Sequence, residues 1–283
     1  MELNAIIFPS PKYDKKKVTL FQEELIYIPN PNNLDDFIPC LFLPDTSSAM
    51  SKNFMIMFHG NAEDIFNARN VGDDLKSLLH MNVIIVEYPS YSIYEGPPDT
   101  DKILDNTLIV YDFIKKTFGV SDNNIYIFGR SIGTSPAIYL ASKRNPNALI
   151  SVSAFTSIRA VANNLVGFLD ILLKDRLLSS EYIKKVKCPT LFIHGQSDPL
   201  IPFRETLRLK ENCSCPFEVI LPYEMTHNEY DIECDIIDPI KKFLRVNCVV
   251  DREKNMFGEK GDVMKKMYKT PESIKEYMRK KDG

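Results

Sequence analysis

The feature that most constrains this chain is a series of short apolar runs separated by longer stretches with helical spacing. Phe54 to Phe58, Val83 to Tyr88, Ile125 to Phe128, Leu149 to Phe155, Thr190 to His194 and Phe217 to Leu221 read as strands. Several are apolar on both faces, as strands must be in a parallel sheet covered on both sides. Between them, residues 64–80, 100–118, 131–144 and 202–212 carry helical spacing. Such alternation argues for βαβ units. Upstream, Val18 to Ile28 and Ile38 to Leu43 flank the turn-rich Pro29-Asn-Pro-Asn-Asn33. They are expected to form an antiparallel hairpin at one edge. The expected fold class is α/β: a mostly parallel central sheet of about eight strands, helices on both faces and an antiparallel N-terminal edge.

The chain has 283 residues, which suits one large α/β domain, expected over residues 1–250. The segment 157–182 lies between two strands and holds the apolar cluster Leu165 to Leu173; it reads equally as a crossover helix or a small cap. The tail, 251–283, is rich in Lys, Glu and Met and reads as a charged amphipathic helix. Thirty-five basic and 38 acidic residues leave a net charge of −3, which gives no electrostatic reason to expect nucleic acid as a partner. The short apolar stretch Ala5 to Phe8 is followed by Pro9 and Pro11, unlike a signal peptide, and Glu2 excludes N-myristoylation. No window reaches the length of a membrane span. The expected location is cytoplasmic, with peripheral membrane contact left open. The six cysteines are scattered and read as free thiols.

Chemistry concentrates at Gly129-Arg-Ser131-Ile-Gly133, which matches G-x-S-x-G. An apolar strand precedes it and a helical run from Thr134 follows, the context this motif needs. A sharp strand-to-helix turn lifts the Ser hydroxyl clear of the sheet at a helix N-terminus, where the dipole favours negative charge. Glycines on both flanks avoid clashes in so tight a turn. Pro136 is tolerated in the first turn of the helix and marks its start.

A serine hydroxyl needs a base. The four histidines are His59, His80, His194 and His227. With the order Ser, acid, His, only His227 leaves room for an acid before it. The acid assigned is Asp198, in the loop after the fifth strand, at the end of the sheet where ligands gather. Glu229 and Asp231 lie too close to His227. Two amides are needed for an oxyanion: Ile132, after the nucleophile, and Asn61, in the loop His59-Gly-Asn61-Ala62. His59 is expected to anchor that loop. No metal or organic cofactor is required.

Together, His59-Gly60-Asn61-Ala62, Gly129 to Gly133, His194-Gly-x-x-Asp198 and Thr226-His227-Asn228 resemble α/β-hydrolase-domain-containing proteins of the depalmitoylase-like branch. The resemblance runs from about Phe54 to Leu244 and includes Tyr88 to Gly96, where Ser90 and Ser92 replace glycines of the family pattern. It implies the α/β-hydrolase fold and a serine hydrolase acting on a small-molecule or lipidated acyl substrate. The bond is an ester or a thioester, in some relatives a palmitoyl thioester of membrane proteins. The N-terminal cysteine cluster of the membrane-anchored relatives has no counterpart before Cys40. A serine peptidase or amidase of the same fold, and a binding protein without activity, remain open alternatives.

Overall fold

The computed structural model describes residues 9–12, 14–46, 51–161, 177–248 and 268–272. Eight strands form one sheet: β1 (Leu25–Asn30), β2 (Asn33–Leu43), β3 (Phe54–Phe58), β4 (Asn82–Val86), β5 (Ile125–Arg130), β6 (Ala148–Val152), β7 (Thr190–Ile193) and β8 (Phe217–Ile220). Their order is β1-β2-β4-β3-β5-β6-β7-β8. β1, β2 and β4 pair antiparallel, and every pairing from β4 through β8 is parallel. β3, β4, β5 and β6 are buried along their whole length, which is why their apolar runs do not alternate.

The helices are α1 (Lys15–Leu20), α2 (Ile65–Leu79), α3 (Thr100–Phe118), α4 (Thr134–Lys143), α5 (Ser179–Tyr182), α6 (Arg204–Glu211) and α7 (Asp238–Asn247). Two apolar clusters lie on opposite faces of the sheet. One joins alternate β3 residues Phe54, Ile56 and Phe58 to α3 and α4; the other joins Met55 and Met57 to α2 and α7. The helix bounds follow their caps. Asp64 Oδ1 accepts from Asn67 N at the start of α2, and His80 closes it in the left-handed region at φ 54°. Asp99 Oδ1 accepts from the amides of Asp101 and Lys102 before α3, and Gly119 ends α3 at φ 67°.

The N-terminal hairpin departs from expectation. Val18 to Leu20 are helical, because Asp14 caps the Lys15–Leu20 turn through Lys16 N. β2 reaches back to Asn33, which pairs with Asn30 across a tight turn held by Asn32 N to Asn30 Oδ1. Residues 162–176, which hold the apolar cluster of the expected cap 157–182, and most of the tail 251–283 lie outside the described residues. The described piece of the tail packs on β1: Tyr27 N donates to Tyr268 O at 2.8 Å, and Lys269 pairs with Glu23 at 2.9 Å. The six cysteines are free, with Cys213 Sγ 3.1 Å from Cys215 Sγ. Among the described residues no helix is long and apolar enough to cross a membrane.

Candidate active site

Ser131 follows β5 directly and opens a single 3-10 turn (Ser131–Gly133) that leads into α4. Its φ is +53°, a conformation that L-residues adopt at a cost of roughly 1–2 kcal/mol. The turn is held because its flanks admit no side chain. A Cβ on Gly129 would fall 2.8 Å from Ala137 Cβ, and one on Gly133 would fall 2.6 Å from the His59 carbonyl oxygen. The second contact also shows that the Ser131 turn rests directly on the backbone after β3.

His227 Nε2 lies 3.0 Å from Ser131 Oγ, and its Nδ1 lies 2.8 Å from Asp198 Oδ2. The three residues come from different loops at the carboxyl ends of β5, β7 and β8, and each is buried. Asp198 Oδ1 accepts the amides of Leu200 and Ile201, both at 2.9 Å. Its other oxygen faces His227 and, at 3.3 Å, His194 Nε2. Burial by itself would raise the Asp198 pKa; hydrogen bonds from His194, His227 and Ile201 N outweigh it and hold the carboxyl well below the usual carboxylate range. An ionised Asp198 assigns the Nδ1 proton to His227, leaving Nε2 free to accept from the Ser131 hydroxyl.

Backbone contacts bring the acid and base loops together. Gln196 N donates to Pro222 O at 2.9 Å, and Ser197 N to Met225 O at 3.2 Å. A Cβ on Gly195 would strike the Met225 carbonyl, so this glycine permits the close approach. Of the acids near His227, Asp231 is occupied at the start of a helical turn, Ile232–Ile237, accepting from Glu233 N and Cys234 N. His80 is exposed on the far connection between α2 and β4.

The loop after β3 is built on a buried ion pair. His59 Nδ1 donates to Gly60 O and Nε2 meets Glu87 Oε1, both at 3.0 Å. Glu87 also accepts from Tyr88 N and Ile65 N. Burial would lower the His59 pKa, but the bond to Glu87 and that carboxylate's charge raise it; burial raises Glu87 as well. The pair therefore keeps a proton above the ordinary histidine range. Tyr88 OH donates to His59 O at 2.8 Å, and Tyr91 OH donates to Asn61 Oδ1 at 2.6 Å. Ile132 and Asn61 thus sit on two backbone segments that touch at Gly133. Ser90 and Ser92 have φ of 76° and 44°, the region glycine enters freely, which explains why a glycine pattern fits this loop.

Several residues around the site had no role assigned from sequence, although Tyr88, Tyr91 and Arg130 lie within the motifs that carry the resemblance. Glu87, Tyr88 and Tyr91 hold the loop after β3, and Arg130 and Glu63 bind one another beside it at 2.6 Å. The local signals were charged residues in apolar runs: Glu87 within Val83 to Tyr88, and Arg130 at the end of β5.

An eight-stranded, mostly parallel sheet with an antiparallel edge, and a Ser lifted by a tight strand-to-helix turn, define the α/β-hydrolase fold. No protein-family profile matches the chain. In sequence it is similar to α/β-hydrolase domain-containing proteins. It is 29% identical over 195 residues to the Caenorhabditis elegans protein aho-3, covering 69% of this chain and 58% of that one. It is 28% identical over 207 residues to human protein 17B, covering 73% and 70%. The chain thus spans about three fifths of the first of these relatives, 58% by length. Among solved structures, an esterase from Pyrococcus furiosus aligns at TM-score 0.67 and 16% identity, covering 84% of this chain and 96% of that one. Est1E from Butyrivibrio proteoclasticus aligns at 0.63 and 18%, covering 79% and 98%.

Proposed function

We propose that this chain is a serine hydrolase that cleaves a carboxylic ester or thioester through an acyl-enzyme intermediate. The observation that carries the reading is the continuous hydrogen-bonded chain from Asp198 through His227 to Ser131, at 2.8 and 3.0 Å. His227 Nε2 takes the Ser131 proton as Oγ attacks the carbonyl carbon. The amides of Ile132 and Asn61 bind the resulting oxyanion. Protonated His227 gives its proton to the leaving alcohol or thiol as the C–O or C–S bond breaks. It then deprotonates a water that hydrolyses the acyl-Ser131 ester, regenerating the hydroxyl. Asp198 holds the Nδ1 proton throughout and stabilises the imidazolium. The curated relatives carry hydrolase names and two solved neighbours are esterases, which supports the same reading. A lipidated acyl substrate, with peripheral contact to the membrane that carries it, follows from the resemblance to depalmitoylase-like proteins.

The test is fluorophosphonate labelling of the purified protein, read by mass spectrometry, with p-nitrophenyl esters of rising chain length. Wild-type protein labels at Ser131 and shows a chain-length optimum. Ser131→Ala keeps the circular dichroism of the wild type and loses both label and turnover. Retained turnover in that variant overturns the assignment.

A further inference from the structure

The residue in the second position of Gly129-Arg-Ser-Ile-Gly133 is not a spacer. Arg130 ends β5, and its side chain is almost fully buried, 9% exposed. Nη2 donates to the His227 carbonyl oxygen at 2.7 Å and to Asn228 Oδ1 at 2.8 Å. Nη1 donates to Glu63 Oε1 at 2.6 Å. Glu63 uses its second oxygen to accept from Gly60 N at 3.1 Å. Tyr230 covers the guanidinium, with its ring centre 5.7 Å from Cζ. A Cβ on Gly60 would fall 2.9 Å from Nη1, so a glycine there is what lets the guanidinium lie against the loop.

One side chain therefore joins three segments far apart in sequence: the turn that carries Ser131, the loop that carries His227, and the loop that carries Asn61. We propose that Arg130, through Glu63, is a positioning residue that sets the His227 backbone and the Gly60-Asn61 amides relative to Ser131. The proposal rests on the serine-hydrolase reading and extends it. The guanidinium suits the task because its donors form a fixed planar fork that reaches acceptors in separate directions. A lysine ammonium at the same place is a point charge on a flexible stem and lacks the planar fork that fixes both sides in one geometry. Glu63 is matched in the same way. Its carboxylate accepts on both oxygens, whereas glutamine has one oxygen and must lose either Gly60 N or Arg130. Neither residue touches the reacting atoms, so its effect is on geometry, where a misplacement of about 1 Å can cost about a hundredfold in rate.

The experiment compares wild type, Arg130→Lys, Glu63→Gln and the double variant by ester kinetics, and follows the His227 Nδ1–H proton by NMR. Folded Arg130→Lys is expected to lose roughly tenfold or more in kcat with KM within about twofold. The double variant is expected to lose no more than the worse single variant, because both break one linkage. The Nδ1–H signal should shift or broaden in each. A folded Arg130→Lys with wild-type kcat overturns the proposal, as does an additive double variant. If Arg130→Lys fails to fold, Glu63→Gln decides, and wild-type kcat there overturns it. Failure of the hydrolase reading shows separately, as wild-type protein that neither labels nor turns over. In that case an unchanged Nδ1–H signal in the variants overturns the positioning role, and a shifted one upholds it.

Discussion

Ser131 stands in a backbone conformation that disfavours side chains, at φ +53°, and its two glycine neighbours serve different ends. Gly129 makes room for Gly133 and Ala137, which lets the turn tighten onto its own helix. Gly133 makes room for the carbonyls of Phe58 and His59, which lets the turn sit on the neighbouring loop. The φ of Gly133 is −66°, so its requirement is space and not backbone freedom. Gly133→Ala should therefore cost on the order of 1–3 kcal/mol, the usual range for overpacking. It should also lower kcat, because the loop carrying Asn61 is the part that must give way. Urea denaturation and ester turnover check both; a variant as stable and active as wild type would show that the loop yields freely.

At the scale of elements, much of the sheet was legible in the sequence, and the reason is burial. β3 is Phe54–Phe58, as its uninterrupted apolar run indicates, because both its faces carry core. α3 begins and ends where an aspartate and a glycine flank a helical pattern. Legibility failed where local chemistry competed with pattern. Val18, Thr19 and Leu20 resemble a strand in composition, yet Asp14 caps a helical turn there and only Leu25 onward pairs. Within the site, Ser131, Asp198 and His227 could be nominated by motif and chain order. Arg130, Glu63, Glu87 and Tyr91 could not be given their roles, because the side-chain bonds that define them reach 28 to 98 residues along the chain and no local spacing records them. The caps themselves are testable. Asp99 is exposed and accepts two amides at the start of α3. Asp99→Ala should cost about 1 kcal/mol and leave kcat unchanged. A loss of stability much below that, read from the denaturation midpoint, would mean that packing against α4 holds the helix start without its cap.

For the whole molecule, two buried histidine–carboxylate pairs respond to pH with opposite sign. The Asp198 pKa is depressed in the fold. A carboxyl with a lowered folded pKa contributes stability above its unfolded pKa, about 3.9, and loses it as pH falls below that value. The His59 pKa is raised by Glu87. A histidine with a raised folded pKa contributes stability below its unfolded pKa, about 6.5, and loses it as pH climbs through the folded value. One pair therefore weakens the fold on the acid side and the other on the alkaline side. Because the Asp198 pair holds the base loop and the His59 pair holds the loop after β3, each limb begins at the site itself. Melting temperature between about pH 3 and pH 9 should fall at both ends. Asp198→Asn should flatten the acid limb and leave the alkaline limb intact, and His59→Gln should do the reverse. The slopes are the measurement, since each substitution also lowers the whole curve. A uniform downward shift in His59→Gln, with the alkaline slope unchanged, would mean that the His59–Glu87 pair does not hold its proton above the ordinary histidine range, and that another group governs the alkaline limb.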